Sequence, residues 1–187
     1  MNLFLKYLIF TVFALQIQLV IADININTEY YTVEGKNAED LIQQLSQKGI
    51  NGYAGYTKWD IKTNYQYKIN SNNCHLTNYN IDLKVVFTMP KWIDKSTANR
   101  KLQLKWNNWY KSLLAHEKNH ASHGEKAYIE IEQQFSKLPR KDNCQELETS
   151  LNMFTDNIIS KYIKKDKRYD KLTNHGETEG ASSTTLK

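Results

Sequence analysis

Polar and apolar positions alternate twice in succession in the first half of the chain. Trp59, Ile61, Thr63, Tyr65, Tyr67 and Ile69 occupy every second position, and the rhythm returns with Tyr79, Ile81, Leu83, Val85, Phe87 and Met89 after the polar cluster Asn70-Ser71-Asn72-Asn73. A period of two is what a strand with one buried face requires. The pattern therefore predicts an antiparallel hairpin, which Pro90 terminates because proline cannot donate to a ladder. Upstream, Tyr30-Tyr31-Thr32-Val33 reads as a short strand. Asn37 reads as the N-cap of a helix through Ala38, Leu41, Ile42 and Leu45 that Gly49 ends.

After Trp92 the period changes. Leu102, Trp106, Trp109 and Leu113 recur at steps of four, three and four, and the same stripe runs onto His116, His120, Ala127, Ile131 and Phe135. The two histidines thus face the core of a long helix that Pro139 closes, with breaks near Ser96 to Leu104 or at Gly124 both compatible with the pattern. A last helix starts near Cys144, its stripe being Leu147, Leu151, Phe154, Ile158 and Tyr162, and should pack antiparallel to the first. The tail from Glu177 is small, polar and without a core-forming pattern. These elements predict an α+β fold, a small antiparallel sheet on two long helices.

Residues 1–22 carry Lys6, an apolar run from Tyr7 to Leu15, and then Val20-Ile21-Ala22. The run is short for a bilayer span and the ending suits a signal peptidase, so it reads as a signal peptide cleaved after Ala22, with an uncleaved anchor as the rival. Either way residues 23–187 are expected to be secreted or periplasmic, as a single domain. In an oxidising compartment Cys74 and Cys144 are expected to form a disulfide. The net charge of +5 comes from dispersed lysines and a denser run at Lys161, Lys164, Lys165, Lys167 and Arg168. A helix C-terminus favours such a run, and no nucleic-acid module accompanies it, so nucleic acid is not expected as a partner. The same basic helix leaves peripheral contact with the cell envelope open, and the sequence says nothing of oligomeric state.

The chemistry is concentrated in His116-Glu117-Lys118-Asn119-His120. Two imidazoles four residues apart on one helix face can point nitrogens at one zinc ion. Glu117 lies about 100° round the helix from His116, close enough to act as general base toward a water at the metal without being a ligand. His123 shares the face but rises about 10 Å along the axis from His116, which suggests a supporting or surface role. A third ligand could come from a carboxylate on the last helix, such as Glu146, Glu148 or Asp156. Alternatively, His175 in the turn Thr173-Asn174-His175-Gly176 could fold back onto the site.

The order Tyr30-Tyr31-Thr32-Val33-Glu34-Gly35, Gly55-Tyr56-Thr57-Lys58-Trp59-Asp60-Ile61, Cys74, Pro90-Lys91-Trp92, the HExxH motif, Cys144, Tyr169-Asp170 and Thr173-Asn174-His175-Gly176 resembles a bacterial family of predicted secreted zinc-dependent proteases, domain-of-unknown-function family nine-two-two. The resemblance implies bacterial origin, export, a zinc site on the HExxH motif and a terminal Thr-x-His-Gly element at Thr173 and His175. It strengthens the placement of His175 near the metal. The expectation is a zinc metallopeptidase acting on a protein or peptide substrate, with His116, His120 and His175 as metal ligands and Glu117 as general base. The alternative is a cell-envelope binding module in which zinc is structural.

Overall fold

The computed structural model describes residues 23–70 and 72–187. The expected signal peptide, residues 1–22, lies outside the described residues. The chain runs through β1 (Asp23–Val33), α1 (Ala38–Lys48), β2 (Tyr56–Asn70), β3 (Asn73–Trp92), α2 (Arg100–Ser136) and α3 (Cys144–Thr173), with short 3-10 turns at Lys95–Thr97, Glu177–Glu179 and Ser183–Leu186. The fold is α+β, as the two periodicities predict. No helix among the described residues is long and apolar enough to cross a membrane.

The hairpin forms as expected: β2 and β3 pair antiparallel from Tyr56 opposite Thr88 to Asn70 opposite Asn73, with an irregularity between Gln66 and Tyr67. Trp59, Ile61, Thr63 and Tyr65 stand opposite Val85, Leu83, Ile81 and Tyr79, so both apolar faces coincide. Three expectations need correction. The sheet is mixed rather than antiparallel, because β1 pairs parallel to β3 in the order β1-β3-β2. The first strand also begins at Asp23, well before Tyr30. Nor does Pro90 end β3, which continues to Trp92 with Tyr31 opposite Pro90. β2 reaches only as far as Thr88, so beyond it β3 has one neighbour, and a residue without an N–H can face the open side without losing a ladder bond.

Each helix starts on an asparagine. The side chains of Asn37, Asn99 and Asn143 accept from the amides of Asp40, Leu102 and Glu146, satisfying donors that a helix start leaves free. α2 is one unbroken helix, and its stripe of Leu102, Trp106, Trp109, Leu113, His116, His120, Ala127, Ile131 and Phe135 is buried throughout. Buried side chains of the size of Trp109 and Phe135 each contribute about 1.5–3 kcal/mol. Gly124 does not break the helix. A Cβ there would lie 2.8 Å from Trp59 Cγ, so the glycine provides the room in which the β2 tryptophan crosses α2. Gly124→Ala is therefore expected to destabilise by about 1–3 kcal/mol through overpacking, despite alanine's higher helix propensity. Thermal melts of both proteins check this, and a stabilised variant would show that Trp59 can give way.

α3 packs antiparallel to α2, as the pairs Glu130–Lys161, His123–Asp166 and His116–Asp170 show. Cys74 and Cys144 are disulfide-bonded, tying the start of β3 to the start of α3. Cys74 and Lys141 also exchange backbone hydrogen bonds of 2.8 and 2.9 Å beside the bridge. Replacing both cysteines with serine is expected to cost about 2–4 kcal/mol of stability, read from urea unfolding. An unchanged midpoint would mean that the backbone bridge alone holds this corner. The tail departs from its polar reading: Ala181 and Leu186 are buried, and Trp109 Nε1 donates to Ala181 O at 2.8 Å.

Candidate metal centre

The long stripe of α2 carries His116 and His120 into the seam with α3, where they are 3 % and 8 % exposed, and Glu117 beside them is 4 % exposed. Buried imidazoles need polar partners, and α3 supplies them as Asp166 and Asp170. His116 Nε2 and His120 Nε2 lie 3.2 Å apart, and Asp170 Oδ1 is 3.2 Å from the first and 2.9 Å from the second. Ligand atoms bound tetrahedrally at about 2.0 Å from a zinc ion are about 3.3 Å apart, so this triangle has the dimensions of one face of such a site.

The outer nitrogens explain why these three atoms meet. His116 Nδ1 lies 2.9 Å from Glu179 Oε2, and His120 Nδ1 lies 2.9 Å from Asp166 Oδ1. A carboxylate acceptor keeps a proton on each Nδ1, which leaves the Nε2 atoms as lone pairs. With Asp170 Oδ1 they make three converging acceptors, a set that needs a cation between them. A proton or a metal ion can fill that role. Burial opposes protonation of His120, but Asp166 and Asp170 outweigh it and push its pKa up to about 10. His116 is raised as well, burial being overcome by Asp170 and Glu179. Conversely, Asp170 lies well below the usual carboxylate range: burial would raise it, but His116 and His120 prevail. A metal ion can replace those protons at the same atoms, so the donor set fits a metal, and His116, His120 and Asp170 could hold one.

Asp166 is a hub rather than a free ligand. Its Oδ1 also accepts from His123 Nδ1 at 2.6 Å, and its Oδ2 accepts from Trp59 Nε1 at 2.7 Å. His123 thus backs Asp166, although His120, His123 and Asp166 also lie close enough to count as a second group of metal-ligating types. Glu117 stands beside the triangle and reaches β2 with its carboxylate. Thr57 Oγ1 donates to its Oε2 at 2.7 Å, and a Cβ at Gly55 would fall 2.7 Å from its Oε1, so only a glycine leaves that oxygen uncovered. Burial raises the Glu117 pKa, with the Thr57 hydrogen bond and both histidines opposing it.

His175 lies at the margin of the triangle. Its Nδ1 is 3.7 Å from Asp170 Oδ1, while its Nε2 is 3.0 Å from Tyr53 Oη and its ring stacks on Tyr53 at 4.1 Å. Asn174 and His175 both have positive φ, 49° and 52°, a costly conformation for residues with side chains that turns this ring back toward α3. Glu146, Glu148 and Asp156 are elsewhere. Glu146 pairs with the helix cap Asn143, Glu148 is beside Tyr67, and Asp156 is exposed. The α3 carboxylate that stands against the two histidines is Asp170. A cleft of about 550 Å³ opens over the site, lined by His116, Glu117, His120, Asp170 and His175 on one side and by Tyr53 to Trp59 on the other.

Asp166 and Asp170 carried a sequence signal. They are the only acidic residues in the otherwise basic run from Lys161 to Lys171, and they stand four apart, as His116 and His120 do on the facing helix. The sequence profile of the family described as "Bacterial protein of unknown function (DUF922)" matches residues 28–176. Comparison with curated proteins and with solved structures gives no match.

Proposed function

We propose, for a chain that belongs to the bacterial family of unknown function DUF922, that it is a zinc metallopeptidase acting on protein or peptide outside the cytoplasm. The observation that carries the reading is the buried Glu117 carboxylate beside three converging acceptors, all opening on one cleft. His116, His120 and Asp170 would hold the ion, three protein groups being the number that catalytic zinc sites use. His175, expected from the sequence as a ligand, reaches only Asp170, at 3.7 Å, and its other nitrogen is engaged by Tyr53, so in this reading it lines the cleft rather than completing the ligand set. When bound, zinc supplies Lewis acidity, which makes water acidic near neutral pH and polarises a carbonyl.

The residues of the chain do the proton work. Glu117 takes a proton from the attacking water and gives it to the leaving amine, and a carboxyl group raised by burial is suited to both halves of that exchange. Thr57 fixes one of its oxygens and Gly55 leaves the other uncovered. β2 is an edge strand of the sheet, and its first residues, Tyr56 to Trp59, line the cleft. An extended peptide can add to that edge by main-chain hydrogen bonds, which would lay its backbone across Glu117.

The test is cleavage of a broad peptide library by residues 23–187, followed by removal of metal with a chelator. Cleavage that is lost on chelation and restored by zinc is the expected result. A folded, zinc-loaded protein that cleaves nothing would overturn the peptidase reading.

A further inference from the structure

The two inward-facing histidines are each backed by a carboxylate, but the carboxylates have different origins. Asp166, behind His120, belongs to α3. Glu179, behind His116, belongs to the segment after α3 and lies beyond residue 176, where the family match ends. That segment is closely docked. Trp109 Nε1 holds Ala181 O, and Leu186 is 1 % exposed. A Cβ at Gly176 would lie 2.9 Å from His116 Cγ, and one at Gly180 would lie 2.9 Å from Ser112 Oγ, so the chain passes over α2 at distances that only bare Cα atoms allow. Both glycines also have positive φ, 82° and 89°. Tyr169 completes the arrangement: its hydroxyl is 2.7 and 2.9 Å from the two Glu179 oxygens, and its ring stacks on His116 at 4.8 Å.

We propose that residues 176–186 form a strap that completes the metal site, with Glu179 as the positioning residue that fixes the tautomer and orientation of His116. This rests on the metal reading above. The Nδ1–H of His116 is given to Glu179, which directs the Nε2 lone pair at the ion and makes the ring a better donor. Tyr169 holds the carboxylate in place by donating to it. Leu186 and the Trp109–Ala181 hydrogen bond anchor the strap on which Glu179 rides. Carboxylates in this outer position are commonly worth 10–100-fold in metal affinity.

The experiment is zinc affinity measured by competition with a chromophoric chelator, using residues 23–187 as wild type, Glu179→Ala, Glu179→Gln, Glu179→Met and Leu186→Ala. The far-ultraviolet spectrum of each metal-free protein is recorded as a folding control. Glu179→Ala is expected to bind zinc roughly 10–100-fold more weakly. Glu179→Gln, whose amide oxygen still accepts from Nδ1–H, should recover most of the loss, whereas Glu179→Met, similar in bulk but without an acceptor there, should not, although a merely space-filling role would predict recovery in both. Leu186→Ala should weaken binding by a smaller factor with the carboxylate intact. Affinity within twofold of wild type in Glu179→Ala would overturn the strap alone. So would an equal loss in the alanine and glutamine variants. A wild type that takes up no zinc would overturn the metal reading, and the strap with it.

Discussion

Glu117→Gln is expected to leave zinc binding intact and to lower peptide cleavage by roughly 10²–10⁴-fold, the range that general acid–base catalysis supplies. The substitution suits the geometry. Glutamine has the same shape, its amide oxygen can still accept from Thr57 Oγ1, and Gly55 leaves room for the NH2 group. Glu117 is outside the group formed by His116, His120 and Asp170, so losing its charge removes no ligand. It also removes a carboxylate whose burial is unfavourable, and the variant should be at least as stable as wild type. Cleavage rate and zinc content measured on one preparation separate the outcomes. Unchanged cleavage would exclude Glu117 as the base. Loss of both cleavage and zinc would mean that the carboxylate helps to hold the ion.

Local pattern made some elements of this fold legible and hid others. The hairpin was readable because Ile61, Leu83 and Val85 alternate with solvent-facing residues, and the course of α2 because its buried stripe has no gap from Leu102 to Phe135. The start of β1 was not readable. Ile24 and Ile26 remain 42 % and 50 % exposed, so burial is not what makes that stretch a strand. Pairing with β3, distant in sequence, does so, and no local period reports it. The buried part of the tail is hidden for the same reason: Ala181 and Leu186 are too few to form a pattern, and only docking against Trp109 and its neighbours gives them a role.

The candidate site divides in the same way. His116, Glu117 and His120 come from one helical turn, and their spacing alone places them together. Asp170 comes from another helix, and in the sequence it stands among lysines that a helix C-terminus would attract in any case. The structure separates the two: Lys164, Lys165, Lys167, Arg168 and Lys171 are exposed, while Asp166 and Asp170 turn into the seam. An acidic pair at helical spacing inside a basic run is therefore worth reading as an inward face. Glu179 lies in a glutamate-rich tail, Glu177 to Ala181, that the family resemblance picks out, but no periodicity places it on His116, because its position depends on left-handed turns at Asn174, His175 and Gly176.

The choice between an open and a closed site turns on Asp170 and His175, and substitution should separate them. Structural zinc sites of four ligands are bound by about 10–16 kcal/mol, so one ligand is worth about 3 kcal/mol, on the order of a hundredfold in affinity. Asp170 Oδ1 touches both Nε2 atoms, and Asp170→Ala is expected to lose at least that much, as are His116→Ala and His120→Ala. His175 approaches only Asp170, at 3.7 Å, and its other nitrogen is engaged by Tyr53. His175→Ala should therefore keep one zinc per chain, with affinity reduced less than tenfold if the ring stays on Tyr53. Its effect should fall on cleavage instead, because the ring lines the cleft beside Glu117. Zinc content by mass spectrometry and affinity by chelator competition decide the case. If His175→Ala loses zinc as Asp170→Ala does, four protein groups surround the ion. A site closed in that way leaves no position for substrate, and the chain would then be a binding module of the cell envelope stapled by structural zinc.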